Sequence, residues 1–260
     1  MKRFKVGDRV MFTCSSGSIS EEIILSQNEL VCLPQQWSFE EGAGFLWGYL
    51  TAYNGIKQRG EIKKGDTVLV TGASGGMGMA AVQLSKAFGA TVIACGSSSR
   101  KLEECKKMGA DHVLNYGEDG TKGKLKEEVS KLTKGKNVDL VYDPVGGSIG
   151  EEAFRCLGWA GRFLVVGFTS GKPPIIQSNH LLIKQASLVG VLTGMALLRN
   201  PKLMLEAIND ISNLDKVHSL KPLVHSKHTL DQAANAYRLL KERSVVGKVV
   251  ITTKQTHSNL

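Results

Sequence analysis

The stretch Thr67-Val68-Leu69-Val70-Thr71-Gly72-Ala73-Ser74-Gly75-Gly76-Met77-Gly78 constrains this chain more than any other. Its first four residues are apolar or β-branched, as in a parallel strand buried on both faces. A glycine-rich turn and an apolar, helix-forming run come next. Such a unit aims backbone N–H groups and a helix N-terminus at one point, where an anionic pyrophosphate can sit. Ala73, Gly75 and Gly78 fill the three positions of G-x-G-x-x-G. Gly75 and Gly76 leave phosphates free to approach the backbone, and Gly78 lets the helix lie close to the strand. Ala73 in place of the first glycine asks for a slightly wider turn. The helix is expected to pass through Val82, Leu84, Ser85 and Phe88 and to stop at Gly89, with a second strand from Thr91 to Cys95.

The residues after that second strand select the nucleotide. An NAD site needs an acid there for the ribose hydroxyls; an NADP site needs cations and small donors around the 2′-phosphate. The sequence reads Ile93-Ala94-Cys95-Gly96-Ser97-Ser98-Ser99-Arg100-Lys101, with no acid. Three serines can donate hydrogen bonds, and Arg100 or Lys101 can pair with a dianionic phosphate. A serine here can also cap the next helix. The expected cofactor is therefore NADP(H).

Further along, the chain keeps alternating. Helices are expected at Arg100 to Met108 (ending at Gly109), Leu125 to Leu132, Ile149 to Leu157 and Asn179 to Lys184. Strands are expected at His112 to Leu114, Val138 to Tyr142, Arg162 to Gly167 and Ser187 to Leu192. This alternation predicts an α/β fold, a Rossmann-type doubly wound parallel sheet with its ligand at the carboxyl ends of the strands. Tyr116, Gly167-Phe168 and Leu192-Thr193 fall just past such ends.

Several other classes find little support. The formal net charge of +9 suits an anionic ligand, but the lysines are spread out and no nucleic-acid reading motif accompanies them. The densest run, Lys122 to Lys136, carries Leu125, Val129 and Leu132 at helical spacing, the pattern of a surface helix. Five scattered cysteines without a C-x-x-C pair point to reduced thiols in a cytoplasmic setting. The histidines do not cluster with cysteines at ligand spacing, so no metal is expected; His225 and His228 are close but are expected in a surface connection. No apolar stretch is long enough to span a bilayer.

The chain resembles the zinc-independent quinone oxidoreductases of the medium-chain dehydrogenase/reductase superfamily, nearest to the branch of quinone oxidoreductase-like protein 2. The resemblance rests on Phe4-Lys5-Val6-Gly7-Asp8-Arg9-Val10, Tyr49-Leu50-Thr51-Ala52-Tyr53, Lys64-Gly65-Asp66, the glycine turn, Gly109-Ala110-Asp111, Asn115-Tyr116, Val145-Gly146-Gly147, Gly161-Arg162, Gly167-Phe168 and Gly247-Lys248-Val249-Val250. It implies an NADP-binding Rossmann domain over residues 41–215. It also implies a remnant of a GroES-like β-rich catalytic domain over 1–40, to which residues 216–260 return. In that return a helix is expected at Leu230 to Lys241 and a strand at Gly247 to Thr252. One more strand is expected near Glu21 to Leu25, before Leu30 to Pro34. The early part of the family's catalytic domain has no counterpart here, so apolar surface is expected to be exposed and to favour a homodimer or higher homo-oligomer.

The resemblance also implies residue roles. Tyr53 matches a position against the cofactor; Gly75, Gly76 and Met77 match the pyrophosphate turn. Ser97, Ser98 and Lys101 match the adenosine-phosphate pocket, with Tyr116 as its tyrosine. Gly167, Phe168, Leu192 and Thr193 match the nicotinamide side, and Arg243 is near a late cofactor contact. The implied activity is NADPH-dependent reduction of quinones or α,β-unsaturated carbonyls, for which no catalytic side chain is required. The alternatives are an NADPH-binding module without turnover and an RNA-binding or regulatory protein.

Overall fold

A computed structural model of the chain describes residues 4–14, 16–117 and 123–253. It contains two compact units, residues 1–47 with 221–260, and residues 48–220. In the smaller unit, β1 (Val10–Met11) pairs antiparallel with β2 (Val31–Cys32), and helix α1 (Phe39–Tyr53) comes next, with the first unit boundary inside it.

The larger unit runs from a π-helical segment, Asn54–Arg59, through β3 (Thr67–Val70), α2 (Gly76–Ala87), β4 (Thr91–Gly96), α3 (Ser99–Lys107) and β5 (His112–Asn115). It continues with α4 (Leu125–Leu132), β6 (Val138–Asp143), α5 (Gly147–Arg155), β7 (Leu157–Val165), α6 (Ser178–Lys184) and β8 (Ser187–Gly190). Helices α7 (Thr193–Arg199) and α8 (Lys202–His218) close it. The six strands form one parallel sheet in the order β5-β4-β3-β6-β7-β8. The chain steps outward from β3 to β5, then restarts on the other side of β3 at β6. That reversal is the switch point of a doubly wound sheet.

Back in the smaller unit, β9 (Val224–Thr229), α9 (Ala233–Lys241) and β10 (Lys248–Thr252) form a crossover with the two strands parallel. His225 and His228 therefore lie in a strand, not in a connection. Lys227 of β9 pairs with Glu40 of α1 at 2.6 Å.

Burial explains the larger sheet. Leu69, Ile93, Cys95, Val141 and Phe163 from its strands join Leu125, Val129, Ala153 and Phe154 from α4 and α5 in one core. Leu125 and Val129 are four residues apart on one face of α4, and in α5 Ala153 and Phe154 follow buried Gly150 at i+3 and i+4. Gly89 and Gly109, at φ +83° and +106°, end α2 and α3 in the left-handed conformation that glycine alone adopts without strain. Cys95, Cys105 and Cys156 are buried, and all five cysteines are free thiols.

Several expected boundaries move. Helix α5 ends at Arg155, and Leu157 begins β7 opposite Val138. The next pairing is Leu140 with Arg162, so Gly158–Gly161 bulge out with Ala160 at φ +55°. The turn glycines of this bulge allow both ends of the segment to stay in register. Strand β8 stops at Gly190, and Leu192 becomes the N-cap of α7. The expected strand near Glu21 to Leu25 forms no ladder among the described residues; Ile24 is 99% exposed and has no sheet to cover. Lys122 lies outside the described residues.

Candidate nucleotide site

The glycine turn joins β3 to α2 at the carboxyl edge of the sheet, and its glycines meet three different demands. Gly72 sits at φ +55°, so the left-handed turn falls one residue before Ala73. Ala73 needs no special backbone angle; it is fully buried and its N–H donates to the Cys95 carbonyl at 2.9 Å. This is how the turn tolerates alanine at the first fingerprint position. At Gly78 a Cβ would lie 2.4 Å from the Gly72 oxygen and 2.6 Å from Ala73 Cα, so only glycine lets α2 approach the turn. Gly75 answers to neither demand. Its φ of −79° and ψ of 164° suit any residue, and an added Cβ would meet only the Gly72 oxygen at 3.5 Å. The space its missing side chain leaves is open to a ligand. Gly75 is also the N-cap of α2 and offers no side chain to the first-turn N–H groups, which include those of Gly76 and Met77.

On the β4–β5 side the structure brings the expected phosphate residues together. Ser97 and Ser98 come directly after β4, and Ser98 is the N-cap of α3 without accepting a side-chain cap bond. The Tyr116 N–H donates to the Gly96 carbonyl at 2.9 Å. At Gly117 a Cβ would meet the Ser97 carbonyl at 2.7 Å, so the turn after β5 lies against the end of β4. Lys101 stands in the first turn of α3. Burial, then the neighbouring Arg100, lowers its pKa below the ordinary lysine value. An incoming phosphate would offset both effects.

On the β6–β8 side the organising residue is Asp143, which sequence reading did not single out. It ends β6 and is 1% exposed. The Thr71 hydroxyl donates to its Oδ1, as does the Val145 N–H at 3.0 Å, and the Gly146 N–H reaches both oxygens at 3.2 and 3.1 Å. Burial nevertheless holds its carboxyl above the ordinary aspartate range, with those bonds pulling the other way. Asp143 thus ties the residue after β3 to the turn after β6. The Asp143 backbone carbonyl accepts from Val166, and Pro144 and Val145 carbonyls accept from Thr169 and Ser170. Gly167 and half-exposed Phe168 are carried on this laced loop. The only advance signal was an acid directly after the apolar run Leu140-Val141-Tyr142.

Beyond β8, Leu192 is 70% exposed while Thr193 is buried and accepts a bond from Asn54 Nδ2 at 3.0 Å. Asn54 had no sequence signal.

Tyr53 is not brought to this edge. The Tyr53 hydroxyl donates to Asp210 Oδ2 at 2.5 Å, and its ring tilts against Phe88, at the end of α2 away from the glycine turn. Burial and Asp210 push its phenol pKa up. Arg243 belongs to the smaller unit, where it is exposed at φ +53° after α9.

A turn open at Gly75, uncapped N–H groups behind it and a partly desolvated lysine past β4 fit a phosphorylated dinucleotide. Among the described residues no three His, Cys, Asp or Glu side chains are placed to hold a metal ion, and no helix is long and apolar enough to cross a membrane.

The chain is similar to known proteins over nearly its whole length. The family profile described as zinc-binding dehydrogenase matches residues 76–210. The quinone oxidoreductase-like protein 2 homolog of Nematostella vectensis is 36% identical over 252 residues, covering 96% of this chain and 68% of that protein. Quinone oxidoreductase 1 of Escherichia coli is 31% identical over 260 residues, covering 96% and 76%. Among solved structures, Escherichia coli quinone oxidoreductase complexed with NADPH is similar with a TM-score of 0.85 at 28% identity, covering 97% of this chain and 77% of that one.

Proposed function

We propose a cofactor and a substrate class from one premise: the chain belongs to the quinone oxidoreductases of the medium-chain dehydrogenase/reductase superfamily, and is an oxidoreductase. It binds NADPH and reduces a quinone or an α,β-unsaturated carbonyl. Gly75 carries this reading, because its lack of a side chain serves neither the backbone nor the internal packing and leaves room for a ligand. Two of the similar solved structures, from Escherichia coli and Thermus thermophilus, are quinone oxidoreductases complexed with NADPH.

In this reading the N–H groups of Gly76 and Met77 hold the pyrophosphate, and Gly75, whose own N–H donates to the Gly72 carbonyl at 3.1 Å, leaves room for it. Ser97, Ser98 and Lys101 take the 2′-phosphate, and Tyr116 flanks the adenosine. Gly167, Phe168, Leu192 and Thr193 border the nicotinamide half, over β6 to β8. Bound NADPH supplies the hydride. The chain's part is to align the ring, exclude water and offer donors to the oxygen that gains charge on the substrate. Arg243 is a further cofactor contact on the family resemblance alone. Tyr53 is left out, since Asp210 engages its hydroxyl. The chain is a homodimer or higher homo-oligomer; exposed Trp159, Leu182, Ile183 and Leu188 in the larger unit support association.

Lys101→Ala separates the 2′-phosphate from the rest of the site. Removing a charge-assisted bond should weaken NADPH about 10- to 100-fold and leave NADH unchanged. Titration of both reduced coenzymes measures this. Equal weakening would remove Lys101 from the phosphate pocket. Wild-type protein that binds NADPH but oxidises none with quinones or enones would be a binding module and not a reductase.

A further inference from the structure

We propose that Asn54 is a positioning residue for hydride transfer, acting through Thr193. The proposal rests on the NADPH reading and adds to it a control on how the nicotinamide is oriented.

Asn54 opens the π-helical segment and is 6% exposed; Thr193 opens α7 and is 4% exposed. Their bond, Asn54 Nδ2 to Thr193 Oγ1 at 3.0 Å, joins residues 139 positions apart in the chain. Two buried polar side chains cost more than apolar ones of the same shape even when paired, so packing alone does not account for them. The backbone is arranged to bring them together. The wider π turn sets the register of Asn54–Arg59, and Gly55 lets it press on the sheet: a Cβ there would lie 3.0 Å from Tyr142 Cε2 and 3.5 Å from Val191 Cγ1. Such π turns recur at functional sites. Arg59 anchors the far end by donating to the Gly190 carbonyl at 3.2 Å. The segment is thus fastened to the end of β8, three residues before Thr193.

The direction of the bond matters. Asn54 is the donor, so the Thr193 hydroxyl accepts from it, and its own proton remains to be donated elsewhere. With pyrophosphate at the β3 turn and adenosine over β4 and β5, the nicotinamide half falls over β6 to β8. A hydroxyl there with a fixed rotor and a free proton suits a carbonyl acceptor, the carboxamide oxygen of the ring. Holding that oxygen fixes which face of the ring meets the substrate.

Three variants test this in the full chain. Asn54→Leu removes the donor. Asn54→Asp keeps a bond but reverses it, because Thr193 must then donate to the carboxylate. Thr193→Val removes the hydroxyl. Misorientation should lower kcat about tenfold in both Asn54 variants and leave the Kd for NADPH within about threefold. Transfer from NADPH deuterated separately on each face should lose its selectivity in both, and in Thr193→Val as well. Asn54→Asp with wild-type kcat and face selectivity would overturn the proposal, because a purely structural bond survives reversal. Thr193→Val with wild-type kcat and selectivity would overturn it as well. Failure of the wild type to bind NADPH would instead defeat the cofactor reading, and the binding titration records that separately.

Discussion

Gly78→Ala should destabilise the protein and abolish NADPH binding, whereas Gly75→Val should abolish binding and leave stability intact. The two positions are three residues apart, yet their surroundings are opposite. A Cβ at residue 78 would press on the Gly72 oxygen and on Ala73 Cα and C, at 2.4, 2.6 and 2.8 Å. These are backbone atoms that cannot rotate aside, so α2 must move off the turn. Overpacking of this kind costs about 1–3 kcal/mol, or roughly 2–12 °C in Tm at this size. At residue 75 a Cβ would make only an ordinary contact, with the Gly72 oxygen at 3.5 Å, and nothing else lies within 4 Å. Valine there should change Tm by less than about 2 °C, within the usual range for substitutions that touch nothing. It should weaken both NADPH and NADH more than about 100-fold by crowding the pyrophosphate. Thermal melts and coenzyme titrations separate the two effects. Wild-type affinity in Gly75→Val would contradict the assignment of the turn.

Asp143→Ala should be the most destabilising single change at the carboxyl edge, at about 3–5 kcal/mol, because it leaves buried partners without an acceptor. The Thr71 hydroxyl and the Val145 and Gly146 N–H groups all lose their bonds. Asp143→Asn keeps one acceptor oxygen and should cost less. The comparison carries a pH signature. Burial raises the Asp143 carboxyl above its unfolded value, so its contribution is fullest at low pH and declines as the pH rises through that raised value. Asparagine does not titrate, and the stability gap between wild type and Asp143→Asn should narrow from about pH 4, near the unfolded aspartate pKa, towards neutrality. Denaturant titrations across that range measure it. A gap that widens with pH would mean that the hydrogen bonds, and not burial, dominate at this carboxylate.

Much of the larger unit was legible before any coordinates. The strands from Thr67 to Gly190 announce themselves as short apolar runs, and Gly89 and Gly109 mark helix ends where a left-handed residue is needed. The phosphate turn was legible for the same reason: its constraints act within a dozen residues. Helix α1 was not read, because Gly42, Gly44 and Gly48 depress helix propensity. Its logic is tertiary, since a Cβ at Gly42 would lie 2.5 Å from Leu33 Cδ1, a side chain nine residues back that packs on the helix. The bulge between Leu157 and Arg162 was missed likewise, because only pairing with β6 reveals that four residues oppose one.

The sequence alone determined the parallel α/β sheet, the glycine turn and the cluster of Ser97, Ser98 and Lys101, because each arises from patterns confined to one strand, one turn or one helix start. Only the tertiary structure decided that Tyr53 turns to Asp210, that Asp143 fastens three loops, and that Asn54 reaches Thr193. A buried polar side chain takes its role from the partner that desolvation forces it to find. Here those partners stand 157, 72 and 139 residues away, beyond the reach of any local pattern.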